Sequence, residues 1–191
     1  MLQTLITDKF QQAVSYADFV ASGEPLGHRP PWDERYSQLA LSPEQQKLCG
    51  TFKREMKVLC LTGTWCGDCA LQGSALQRIA EGTKGLIDLR FILREDKHAD
   101  LITKCQINAG FRVPVTWFMA EDFEFVSMFG DRSLSRYRSM ARKALGPEVE
   151  GALPPAPENP VRQVLSEMLD EVERVQWLLR LSGRLRQKHG D

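Results

Sequence analysis

The sequence lacks any window approaching the roughly 20 consecutive apolar residues that cross a bilayer, so no membrane span is expected. It also lacks an uninterrupted apolar block near its amino terminus. MLQTLITDKFQQAVSYADF mixes charged and amide residues into its apolar positions, and no export signal is expected. Neither charge is in excess, with 25 Lys and Arg against 25 Asp and Glu; the overall field that nucleic acid or an anionic membrane would need is missing. Histidines are few and scattered, at His28, His98 and His189. Cysteines number five, Cys49, Cys60, Cys66, Cys69 and Cys105. An odd count without an export signal fits a reducing, cytoplasmic setting and argues against a structural disulfide framework. What is present is a globular balance, 42% hydrophobic and 26% charged over 191 residues, enough for one ordinary core with extra segments.

Leu5, Phe10, Val14, Phe19 and Val20 recur near helical spacing before Gly23, predicting one helix. The Gly- and Pro-rich stretch from 23 to 42 is expected to be a surface loop pinned by Trp32 and Tyr36. Ser42-Pro43-Glu44 opens a second helix running to about Phe52. KVLCLTG reads as a buried strand, and ALQGSALQRIAEG as a helix closed by Gly82. LIDLRFILR predicts an interior strand, followed by a solvated charged run from Arg94 to His98 and a polar helix around Asp96 to Cys105. VPVTWFMA and FEFVSMFG form a hairpin across Glu121-Asp122. The next helix is expected to turn Leu134, Tyr137, Met140, Ala141 and Leu145 inward. Five prolines in GPEVEGALPPAPENP mark a semi-rigid linker. The tail then carries a broad apolar stripe of Val161, Val164, Leu165, Met168, Leu169, Val172, Val175, Leu178 and Leu179, which favours packing on its own domain over pairing with another chain.

The order predicts an α/β fold, a central mixed sheet flanked by helices with helical extensions at both ends. Its chemistry centres on Trp65-Cys66-Gly67-Asp68-Cys69, where the strand ends and the helix begins. Two cysteines three apart share one face of a first helical turn and can close a small disulfide ring. Free N–H groups and the positive end of the helix dipole favour the Cys66 thiolate, so Cys66 is the expected nucleophile and Cys69 the resolving thiol. Trp65 offers an apolar platform. A zinc clamp would need two more ligands at matched spacing, so no metal is expected; a redox pair is preferred to a metal site or an inert pair. Cys49, Cys60 and Cys105 read as buried small hydrophobes, and Trp117, Phe118 and Met119 as strand core.

This motif resembles the Trp-Cys-Gly-Pro-Cys active site of the thioredoxin family, and Arg112-Val113-Pro114-Val115-Thr116 resembles its cis-proline segment. The resemblance covers roughly residues 43 to 146. It implies a thioredoxin-like fold, a cis bond at Val113-Pro114, a Val113 backbone offered to an extended substrate, and a Gly130 that lets the substrate approach closely. It also implies electrons from a thioredoxin reductase or a small thiol, with no bound cofactor. Two positions depart from the pattern. Asp68 replaces the usual Pro, and is expected either to face Cys66, raising its pKa and making a reductant, or to face water. Cys60 stands where the family carries a buried Asp that serves the resolving thiol, leaving Asp68 as a candidate base.

The expected organisation is a helical extension over 1–42, a thioredoxin-like domain over 43–146, a linker over 147–160 and a C-terminal helix over 161–191. The expected activity is reduction or exchange of disulfides in proteins or small molecules. A non-catalytic or redox-sensing binding module is the alternative. A monomer is favoured, with dimerisation through the C-terminal helix as the other arrangement.

Overall fold

The structure is a computed structural model and describes residues 2–191; Met1, the first residue of the expected extension, lies outside them. Strands β1 (Met56–Thr62), β2 (Ile87–Leu93), β3 (Val115–Ala120) and β4 (Phe125–Phe129) form a single sheet in the order β2-β1-β3-β4. Helix α5 (Gly67–Gly82) carries the crossover between parallel β1 and β2, whereas β3 runs antiparallel to both β1 and β4. The result is a mixed α/β sheet with helices on both faces.

Alternation along β1 divides the core. Met56, Val58 and Cys60 join one apolar cluster with α5 and the tail, while Leu59 and Leu61 join another with Ile6, Phe10, Leu101 and Trp117. The tail helix α8 (Pro160–Leu181) belongs to the first cluster. It buries Val164, Leu165, Met168, Leu169, Val172, Val175 and Leu179, leaving only Leu178 of the expected stripe exposed and Val161 half-buried. Asn159 caps its start by accepting from the N–H of Arg162 at 3.0 Å. Gln176 ties it to the sheet, donating to the carbonyl of Arg54 at 2.8 Å. A short helix α9 (Gly183–His189) follows. Among the described residues, no helix is long and apolar enough to cross a membrane.

Several local expectations are corrected. The first helix is two, α1 (Leu2–Gln12) and α2 (Tyr16–Ser22). Between them Val14 is extended and exchanges backbone hydrogen bonds of 2.9 and 2.8 Å with Phe91, covering the β2 edge; Ser15 then caps α2 by accepting from the N–H of Asp18. The expected loop contains a 3₁₀ turn (Glu24–Leu26) and helix α3 (Arg29–Gln38), because Pro30 and Pro31 fall in a first helical turn, where missing N–H groups cost nothing. Trp32 is buried in that helix. Helix α4 (Pro43–Cys49) stops short of Phe52, and the region after β2 is a 3₁₀ turn (Asp96–His98) with a brief α6 (Ala99–Ile102). His98 is buried rather than solvated, its Nδ1 lying 3.3 Å from the Lys9 ammonium.

The largest correction concerns α7 (Leu134–Leu145), whose expected inner face is exposed, with Leu134 at 58% and Leu145 at 51%. Tyr137 and Met140 are exposed as well. Helix α8 lies against α5 instead. It holds α7 by its polar side, where Glu167 accepts from the Ser135 backbone N–H at 3.0 Å and from its hydroxyl at 2.9 Å.

Candidate active site

Buried β1 delivers the chain into a tight turn at Gly63, where an added Cβ would stand 2.8 Å from the Trp65 ring. That glycine is required by the close approach of the indole. Helix α3 braces the same turn from outside. Trp32 Nε1 donates to the Thr64 carbonyl at 2.8 Å, and the His28 ring lies 2.9 Å from the Thr64 hydroxyl. Trp65 itself is 47% exposed, as a platform requires.

Cys66 is the N-cap of α5 and its sulfur accepts from the backbone N–H of Cys69 at 3.3 Å. The thiol is half-buried, whereas Cys69 is fully buried. A hydrogen bond from the Cys69 thiol lowers the Cys66 pKa most; burial opposes it, the Cys69 N–H reinforces it, and the outcome is about 6. Burial, followed by that same hydrogen bond, drives Cys69 in the opposite direction. One thiol is thereby poised as thiolate while its neighbour keeps its proton. Cys66 Sγ lies 4.0 Å from the Val113 carbonyl, and the Val113–Pro114 peptide bond is cis. The two segments singled out in the sequence therefore meet at the sulfur.

Asp68 turns neither to Cys66 nor to open water. Its carboxylate turns to α7 and the turn before it, accepting from Arg132 Nε at 2.8 Å and Arg136 Nε at 2.6 Å, with its side chain 10% exposed. The charge still raises the Cys66 pKa, but the hydrogen bonds outweigh it. The hydrogen-bond partners of both Asp68 oxygens are guanidinium groups, not the Cys69 thiol. Cys60 is fully buried, accepts from the Thr116 hydroxyl at 3.6 Å, and is pushed by burial up to about 12; it remains a thiol. Gly67 is exposed and an added Cβ would meet nothing. Gly130 has only the tip of Ile107 at 3.4 Å from an added Cβ. It is followed by Asp131, which accepts from Arg112 at 3.1 Å, Arg132 at 2.9 Å and Tyr137 at 2.6 Å.

The arginines and Thr62 were not found by reading the sequence. Thr62 ends β1, and its buried Oγ1 has no hydrogen-bond partner among the described residues, although it is near enough to Cys69 and Cys60 to favour the thiolate of each. Its only signal was position, two residues beyond Cys60 on the same strand face. Arg132 lies in the turn before α7 and Arg136 in its first turn, and nothing in the sequence points either at Asp68. Among the described residues no group of His, Cys, Asp and Glu side chains could hold a metal ion.

A mixed sheet, a parallel crossover through α5, and a cysteine pair at that helix's start facing a cis-prolyl loop define a thioredoxin-like fold. The thioredoxin family model matches residues 14–143, and the chain belongs to that family. The match begins within the segment that the sequence set apart as an N-terminal extension, in keeping with the pairing of Val14 to the sheet edge. Among solved structures, the chain resembles a Pseudomonas aeruginosa protein of unknown function at 18% identity and a TM-score of 0.64, over 87% of this chain and 93% of that one. It also resembles an HIV epitope-scaffold at 17% identity and a TM-score of 0.58, over 86% of this chain and 97% of that one. No curated protein matches the chain.

Proposed function

We propose that this protein is a thiol–disulfide oxidoreductase that reduces or exchanges disulfides through Cys66 and Cys69. The observation that carries this reading is the geometry of the pair: a half-buried Cys66 at the N-cap of α5, accepting from the Cys69 N–H at 3.3 Å and lying 4.0 Å from the Val113 carbonyl beside the cis-proline, over a fully buried Cys69. The Cys66 thiolate attacks one sulfur of the substrate disulfide, forming a mixed disulfide and expelling one substrate thiolate, which takes up a proton. Cys69 then loses its proton and attacks Cys66 Sγ. The Cys66–Cys69 bond forms, the second substrate thiol leaves, and two electrons have passed to the substrate. A reductase or a small thiol returns them, and no bound cofactor enters the cycle. Trp65 and the Val113 backbone line the path of an extended substrate.

Redox titration in glutathione buffers, with thiol trapping and mass counting, tests the assignment. The expected result is one two-electron transition confined to Cys66 and Cys69. A thiol near 6 stabilises the reduced form, so the midpoint is expected above the roughly −270 mV of thioredoxin, toward the roughly −120 mV of strong oxidants. That is opposite to the more reducing character expected were Asp68 to face Cys66. Absence of a transition at these two residues would leave the binding module as the better account.

A further inference from the structure

The approach to Cys66 is rimmed by arginines. Arg94, just beyond β2, lies 5.6 Å from the centre of the exposed Trp65 ring and donates to the Phe111 carbonyl at 3.2 Å. Arg112 immediately precedes Val113, and Arg132 and Arg136 reach Asp68, two residues past the nucleophile. The carboxylates that pair with these arginines are Asp68 and Asp131, whose side chains are only 10% and 3% exposed. The anions are covered by the arginines they hold. Arg94 forms no ion pair with a carboxylate among the described residues, and Arg136 spends Nε on Asp68, which leaves its terminal amino groups as donors. On a chain with no net charge, the field at this mouth is positive.

We propose that this rim selects the substrate, which is a disulfide carried on an acidic polypeptide segment, with carboxylates paired to Arg94 and Arg136. The inference rests on the exchange reading above. A polypeptide is favoured over a small disulfide because the cations come from three separate places, the end of β2, the loop before β3, and α7 with the turn that leads into it. An extended chain spans them where a compact molecule reaches one. The exposed rings of Trp65 and Phe111 supply apolar contact between the charges.

Single-turnover oxidation of the pre-reduced 191-residue chain, followed by thiol trapping, tests this with cyclic disulfide peptides flanked by Glu, Gln or Lys. An exposed ion pair contributes up to about 1 kcal/mol, or about fivefold; two pairs predict a Glu-over-Lys preference approaching about 25-fold at low salt. At 1 M salt, where the screening length falls to roughly 3 Å, the preference should shrink to near unity. Arg94→Gln and Arg136→Gln should each reduce the ratio about fivefold, and the salt dependence of the unmodified chain tests the same point without a variant. Equal rates for the three peptides at low salt overturn the inference, as does glutathione disulfide reacting faster than the Glu peptide. If no disulfide oxidises Cys66 and Cys69, the exchange reading itself fails, a result distinct from exchange without charge preference.

Discussion

Asp68 stands beside a thiol that it electrostatically disfavours, yet the same carboxylate ties α5 to α7 through Arg132 and Arg136. These two roles separate on substitution. Asp68→Asn should move the pH midpoint of Cys66 alkylation below its expected value of about 6. It should also destabilise the fold by about 1–3 kcal/mol in denaturant titration, because both guanidiniums lose the opposing charge and one of them meets an amide NH2 in place of an acceptor oxygen. An upward shift of the midpoint would contradict the placement. Thr62 poses the opposite case, a buried hydroxyl without a partner among the described residues, near the Cys69 sulfur. When Cys69 loses its proton, that hydroxyl becomes a hydrogen-bond donor to the thiolate, an interaction of roughly 1.5–3 kcal/mol. Thr62→Val should therefore lengthen the life of a Cys66 mixed disulfide about tenfold or more, leave Cys66 alkylation unchanged, and leave stability unchanged or improved. Unchanged resolution kinetics would exclude Thr62 from the step.

Helix α8 gains its place by area. Its apolar stripe is wide enough to roof α5 and one face of the sheet, and α7, whose stripe is narrower, is left to pack through Ser135 and Glu167. Met168→Ala, at a fully buried site in that stripe, should cost about 2–5 kcal/mol, whereas exposed Leu178→Ala should stay within about 0.5 kcal/mol in the same denaturation experiment. Equal effects would mean that α8 is not core. The strands, α5 and the α8 stripe were legible because period and burial coincide along each segment. The orientation of α7 was not, since two amphipathic helices compete for one surface and a sequence states each preference separately. The break at Val14 had a local sign, Ser15 with Asp18 three residues on, but helical spacing across the break concealed it. The cysteine pair and the cis-prolyl segment were legible as motifs. The Asp68–Arg132 and Asp68–Arg136 pairs join residues 64 and 68 positions apart, beyond any local pattern.

In the proposed exchange, protons and electrons are coupled through one asymmetric pair of thiols. Reducing a disulfide to two ordinary thiols takes up two protons with two electrons, and the potential then falls by about 59 mV per pH unit. Here the Cys66 pKa is depressed to about 6 while that of Cys69 is raised. Below about pH 6 both sulfurs of the reduced form are protonated and two protons are bound. Above it Cys66 stays a thiolate, only Cys69 takes a proton, and the slope should halve to about 30 mV per unit. Two cysteines with ordinary pKa values would hold the steeper slope to about pH 8.5. Titrating the midpoint from pH 5 to 8.5 should therefore show a break near 6, and in Cys66→Ser no two-electron transition should remain. A single steep slope across the range would mean that Cys66 is an ordinary thiol. The α5 N-terminus, the Cys69 hydrogen bond and the braced turn at Gly63 would then hold a cysteine pair in place without activating it.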